Sequence, residues 1–171
     1  MTFFLIGFMG SGKTHWGKRW SQTQGFTFID LDEAIENEEG KPVADIFEYK
    51  GEQYFRKIEA KTLRSFKGLT NTIVACGGGT PCFYENMQWM NDHGITIYLS
   101  TSSPEILERV LLEQEKRPLL KKMNPAELLF FIEQKLKERA PFYNAAKHIL
   151  PSGNLSEQTF GNLLGTVQSS F

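Results

Sequence analysis

Gly7-Phe8-Met9-Gly10-Ser11-Gly12-Lys13-Thr14 carries the pattern G-x-x-x-x-G-K-[ST] at every fixed position. On its amino side, Phe3-Phe4-Leu5-Ile6 is a short continuous apolar run, which suits a parallel strand buried on both faces. On its carboxyl side, Thr14 to Gln22 reads as the start of a helix. A loop between strand and helix is the setting that phosphate binding needs. Glycines let the backbone curl so that its N–H groups point inward, and the helix N-terminus adds partial positive charge. Gly10, Ser11, Gly12, Lys13 and Thr14 are therefore read as binding a nucleoside triphosphate. Lys13 reaches the β- and γ-phosphates, and the Thr14 hydroxyl holds Mg²⁺.

Outward from this loop, composition narrows the remaining choices. A chain of 171 residues is expected to form one domain with an ordinary core. A net charge of −1 gives no basic field, so no nucleic-acid partner is expected. The 14 phenylalanines are dispersed and make no base-stacking platform. Cys76 and Cys82 have no metal-site spacing, and a reduced, cytoplasmic chain is the simplest reading. The apolar start is too short to span a membrane and lacks a basic leader, so it is read as a strand and no membrane partner is expected.

Phe26-Thr27-Phe28-Ile29 reads as a second strand, ending in Asp30-Leu31-Asp32. In a parallel sheet the carboxyl ends of strands converge on the ligand crevice. Two carboxylates there can serve a metal and a substrate hydroxyl, with Asp30 as the metal-side candidate. Asp32 as a helix cap before Glu33 is the competing reading. Residues 33–67 look mainly helical, interrupted at Gly40-Lys41-Pro42. Within them Arg56 is either a solvated charge or a bidentate clamp for an anionic substrate.

Thr72-Ile73-Val74-Ala75-Cys76 is a third strand, and Gly77-Gly78-Gly79 after it admits close approach of a ligand to backbone N–H groups. Tyr84 to Asp92 reads as a helix and Ile95 to Leu99 as a fourth strand. Ser102 and Glu105 have capping-box spacing, as do Asn124 and Glu127. Between these helices, residues 113–123 have the charge of a lid over a nucleotide, with Arg117 positioned to neutralise the transferring phosphoryl group. Arg139 to Tyr143 reads as a short turn, His148 to Leu150 as a weak fifth strand and Glu157 to Gln168 as a closing helix. Alternating strands and helices imply an α/β fold, a parallel sheet covered on both faces.

Taken together, these stretches resemble shikimate kinase. The resemblance spans nearly the whole chain. It rests on Gly7 to Thr14, Phe28 to Asp32, Ala44-Asp45-Ile46-Phe47, Gly51-Glu52, Phe55-Arg56-Lys57-Ile58-Glu59, Gly77 to Gly79, Arg117-Pro118-Leu119-Leu120 and Arg139 to Tyr143. It implies transfer of the ATP γ-phosphate to the 3-hydroxyl of shikimate, on the route to chorismate and aromatic amino acids. It implies a three-layer α/β/α kinase fold with five strands in the order 2-3-1-4-5. It assigns residues 33–61 to substrate binding. By the same resemblance Asp32 binds the shikimate hydroxyls and acts as or orients the base, and Asp30 holds Mg²⁺ through water. Arg56 and Arg139 grip the carboxylate. Gly78 and Gly79 offer N–H groups, and Glu59 supports the site. Arg117 is the lid arginine, and Arg109 with the loop near Asn154 packs around adenine. A monomer is expected.

His15-Trp16 departs from the small or β-branched residues usual at that place in the family. Both side chains are expected to point into the sheet–helix interface, with no chemistry. A gluconate kinase would share Gly7 to Thr14 without requiring the Asp30/Asp32 pair and three glycines. A nucleoside monophosphate kinase would need a second site for a base and a phosphate. The guanine element Asn-Lys-x-Asp of GTP switches is missing. A silent ATP-binding module is disfavoured by Lys13, Asp30, Asp32 and Arg117.

Overall fold

The architecture is that of a computed structural model, and the structure describes residues 1–112 and 123–169. The strands are β1 (Thr2–Ile6), β2 (Thr27–Asp30), β3 (Thr72–Ala75), β4 (Ile95–Ser100) and β5 (His148–Pro151). The helices are α1 (Lys13–Gln24), α2 (Leu31–Glu39), α3 (Val43–Ser65), α4 (Asn86–His93), α5 (Ser103–Leu112), α6 (Pro125–Tyr143) and α7 (Glu157–Gln168). All strand pairings are parallel, in the order β2-β3-β1-β4-β5. The five-stranded parallel α/β expectation and its order therefore hold.

The period of two along β1 builds two cores. Phe4 and Ile6 face a cluster with Leu31, Ile35, Leu63, Met90 and Tyr143, supplied by α2, α3, α4 and α6. Phe3 and Leu5 face the opposite cluster with Trp20 of α1 and Phe160 of α7, whose rings stack at 5.5 Å and 12°. Every residue of β1 is buried, as its uninterrupted apolar run demands. A third cluster joins Phe8 of the phosphate loop to Ile106 and Val110 of α5 and to Leu128 and Ile132 of α6. The loop is thus seated on packed helices as well as on the strand before it.

Three local readings change. Arg139 to Tyr143 is no turn but the end of α6, which continues through Pro141. Proline removes one backbone donor there, but the last turn is held by the Asn144 N–H to the Ala140 carbonyl at 2.9 Å and by burial of Tyr143. Position 51, within one expected helical run, breaks α3: Gly51 has φ 79° and ψ 168°. The helix expected from Tyr84 starts at Asn86, because Tyr84 and Glu85 have positive φ. Among the described residues no helix is long and apolar enough to cross a membrane.

Candidate active site

The carboxyl ends of β1, β2 and β3 meet at a cavity of about 960 Å³, whose lining includes Gly12, Lys13, Thr14, Asp30, Asp32 and Gly78. This is the crevice expected of an open parallel sheet. Gly7, Gly10 and Gly12 all have positive φ, so the loop curls through a conformation that side chains resist. Gly12 begins α1 at φ 92° without a capping side chain, which keeps the helix N-terminus open to an anion. Lys13 folds over its own loop, donating from Nζ to the carbonyls of Gly7 at 2.8 Å and Phe8 at 2.9 Å. Its ammonium is held at the mouth of the anion cradle.

Asp30 occupies the place that the sequence left open for Asp32. Its Oδ1 accepts from the Asp32 N–H at 3.1 Å, so Asp30 caps α2 and Asp32 lies inside the first turn. Its Oδ2 accepts from the Thr14 hydroxyl at 2.9 Å. Thr14 and Asp30 therefore present neighbouring hard oxygens beside the phosphate loop, a donor set that fits Mg²⁺ completed by phosphates and water. Freed from capping, the Asp32 carboxylate faces the cavity. Burial, then the charges of Asp30 and Glu59, push its pKa up to about 6 against the opposing pull of Lys13. A carboxylate so poised can take a proton from an alcohol near neutral pH.

Beside this cavity lies the Gly77–Gly79 loop. A β-carbon on Gly77 would sit 3.3 Å from Asp32 Oδ1, and one on Gly78 would sit 3.1 Å from Arg139 Nη1. The loop, Asp32 and Arg139 therefore form one wall. Gly79 packs directly on the guanidinium of Arg56. Arg56 is buried and is no solvated charge: its Nη1 donates to Glu59 Oε2 at 2.9 Å. Glu59 is fully buried, and its other oxygen accepts from the Thr80 hydroxyl at 2.6 Å. Arg56 lines a second, shallower concavity of about 460 Å³ rather than the first.

Arg109 lines the main cavity and donates from Nη1 to the Gly10 carbonyl at 2.8 Å. The loop after β5 reaches the same wall through Ser152, Gly153 and Leu155, while Asn154 is exposed and lies outside the lining. Arg117 and residues 113–122 of the expected lid lie outside the described residues. His15 differs from expectation, while Trp16 packs against the sheet–helix core as expected. His15 is exposed, both line the cavity, and Trp16 stacks on the buried Trp20 at 5.6 Å. Position 15 faces away from the sheet because, at about 100° per residue, it lies roughly 200° around the helix from Gly17 and roughly 140° from Trp20, both of which face the core.

Sequence reasoning missed Tyr143. Its hydroxyl donates to the Gly78 carbonyl at 2.6 Å and burial pushes its pKa up to about 12, so it stays a donor. The signal was available: Tyr143 is four residues after Arg139, hence on the same helical face. Thr80, which ties Glu59 to the glycine loop, had no signal at all. Cys76 is buried against Met90 and burial raises its pKa well above the usual thiol range, which rules out a ready nucleophile.

The family model for shikimate kinase matches residues 9–168. A shikimate kinase of Phocaeicola vulgatus is 40% identical over 155 residues, covering 91% of this chain and 89% of its own. One from Persephonella marina is 40% identical over 165 residues, covering 96% and 98%. Among solved structures, the shikimate kinase of Bacteroides thetaiotaomicron superposes with a TM-score of 0.91 at 36% identity, covering 96% of this chain and 98% of that one. The shikimate kinase of Acinetobacter baumannii, solved in complex with shikimate, gives 0.85 at 30% identity, covering 99% and 93%. A deoxyadenosine kinase of M. mycoides, at 17% identity and a TM-score of 0.63, shares the fold.

Proposed function

The chain belongs to the shikimate kinase family, and from that premise we propose how its side chains transfer the ATP γ-phosphate to the 3-hydroxyl of shikimate. The observation that carries the assignment is the convergence of Asp32, Arg139 and the Arg56–Glu59 pair on Gly77–Gly79, beside the phosphate loop. Shikimate has one carboxylate and three hydroxyls, and this wall offers two guanidinium groups, one carboxylate and backbone donors.

ATP lies with its phosphates in the loop of Gly10, Ser11 and Gly12, and Lys13 moves from the loop carbonyls to the β- and γ-phosphates. Thr14, and Asp30 through water, would hold Mg²⁺, which would neutralise phosphate charge when bound. Arg109 and the segment around Asn154 flank the adenine. On the acceptor side, Arg56 and Arg139 hold the carboxylate, and Gly78 and Gly79 donate to substrate oxygens. Glu59 fixes Arg56, and Tyr143 fixes the Gly78 carbonyl. Asp32 accepts the proton of the 3-hydroxyl as that oxygen bonds to the γ-phosphorus and the bond to the bridging oxygen breaks. Positioning and charge neutralisation govern most of phosphoryl transfer, and Asp32 adds the orientation of the hydroxyl and the acceptance of its proton. Arg117 from the lid neutralises the transferring group. The enzyme acts as a cytoplasmic monomer.

The deciding experiment is ADP release with ATP and Mg²⁺ in the presence of shikimate, gluconate, AMP or no acceptor. Release that depends on shikimate alone is expected. Turnover on another acceptor would void the roles of Asp32, Arg56 and Arg139.

A further inference from the structure

Arg56 is held by two carboxylates of different character. Glu59 is fully buried and bonded a second time by Thr80, which holds it in place against Nη1. Glu52 lies at the rim with a side chain 58% exposed. One of its oxygens accepts from both Nε at 3.3 Å and Nη2 at 3.2 Å. Nε and Nη2 form one in-plane edge of the guanidinium, the kind of edge that a carboxylate takes with two parallel hydrogen bonds. Aromatic rings crowd Arg56: its Cζ lies 4.4 Å from the Phe83 ring centre and 5.2 Å from that of Phe55. Gly79 lies against Nη1 and Nη2.

Glu52 is also poised to leave. It follows Gly51, where α3 departs from helical geometry. Among the described residues Arg56 is its one hydrogen-bonding partner. Both line the second concavity, with Cys82 and Phe83 on its other side.

We propose that Glu52 stands in for the carboxylate of the acceptor, holding the Nε–Nη2 edge of Arg56 until the substrate carboxylate displaces it, and thereby sets how tightly the site takes an anionic acceptor. This rests on Arg56 being the acceptor clamp. Exchange leaves the charge around Arg56 unchanged, one carboxylate for another. Release of Glu52 into water is inexpensive because the group is already half solvated. A site without Glu52 should take shikimate more readily, since Arg56 remains fixed by Glu59 and by its aromatic neighbours.

The test compares KM for shikimate and for its uncharged methyl ester in the parent, Glu52→Gln and Arg56→Lys enzymes, at low and high salt. Glu52→Gln should lower KM for shikimate about threefold, within the range of a half-exposed ion pair, with a smaller gain at high salt. It should leave KM for the ester as in the parent, a contrast that a merely structural effect would not produce. A raised shikimate KM, unchanged values, or an equal gain for both acceptors would overturn the proposal. Arg56→Lys keeps the charge but loses the fork, and should raise KM for shikimate at least about tenfold. If it does so while Glu52→Gln has no effect, the clamp stands and only the role of Glu52 falls. If Arg56→Lys leaves shikimate KM unchanged, the clamp itself falls, and the proposal with it.

Discussion

Replacing Gly79 by alanine probes the acceptor wall through a single added carbon. Gly79 has φ −92° and ψ −14°, a helical conformation that alanine accepts, so the backbone contributes no penalty. The added β-carbon would lie 2.5 Å from Nη2, 2.8 Å from Cζ and 2.9 Å from Nη1 of Arg56. Each is well inside van der Waals contact. The guanidinium has little room to retreat, because the Phe83 ring centre lies 4.4 Å from its Cζ and Glu59 holds Nη1. Overpacking with the pair intact costs about 1–3 kcal/mol. Breaking the pair and stranding buried Glu59 costs about 3–5 kcal/mol. A loss of about 3 kcal/mol is expected, which lowers Tm by roughly 6–12 °C in a chain of this size. Displacing Arg56 should also raise KM for shikimate by more than about tenfold, or ~1.4 kcal/mol, with a far smaller effect on KM for ATP.

Thermal melts and coupled ADP-release kinetics measure both quantities. The decisive control is the same substitution in an Arg56→Lys background, where no guanidinium meets the new methyl group. Most of the cost should vanish there, as it does for residues in direct contact. A Gly79→Ala enzyme that melts with the parent would refute the steric argument. So would a cost of the same size in the Arg56→Lys background.

Asp32, with its pKa raised to about 6, makes kcat/KM for shikimate fall as pH drops through about 6; Asp32→Asn should remove that limb and lower the rate about 10²–10⁴-fold. The sign for stability runs the other way. The folded pKa lies above the ordinary 3.8, so the native state favours the protonated form. The contribution of Asp32 to stability is therefore greatest below about 4 and declines as pH rises to about 6, by at most about 3 kcal/mol. A parent-minus-Asn difference in Tm that is flat across this window would contradict the assignment. Thr14→Ala, which removes the hydroxyl bonded to Asp30 at 2.9 Å, should raise the Mg²⁺ concentration for half-maximal rate about tenfold; an unchanged Mg²⁺ titration would exclude Thr14 as a ligand. Tyr143→Phe strands the Gly78 carbonyl that its hydroxyl reaches at 2.6 Å, and should cost about 1–3 kcal/mol in denaturant titrations while raising KM for shikimate; parent values for both would show that the bond positions nothing.

Much of this site was legible in the linear chain because its parts are local. A phosphate loop is eight consecutive residues, and the pattern that names it also dictates its backbone. Asp30 and Asp32 could be placed at a strand end, and Gly77 to Gly79 at another, from apolar runs alone. Whether Asp32 caps the helix or serves the site stayed open in the linear chain, because both Asp30 and Asp32 satisfy the local preference for a cap. The folded chain gives the cap to Asp30 through the Asp32 N–H, while Thr14, sixteen residues away, bonds the other oxygen of Asp30. Likewise the turn read at Arg139 to Tyr143 followed the intrinsic dislike of helices for proline, which tertiary burial of Tyr143 outweighs.

Residue type and short spacing carried the alternation of strand and helix, the phosphate loop and the kind of chemistry this loop serves. Both survive without a fold. Packing alone settled which edge of Arg56 meets Glu59 and which meets Glu52, that Tyr143 orients Gly78, and that His15 and Trp16 line the cavity. It also raised the pKa of Asp32, because desolvation and the charge of Glu59 act through space, over distances that exist only once β2, β3 and α3 are packed together.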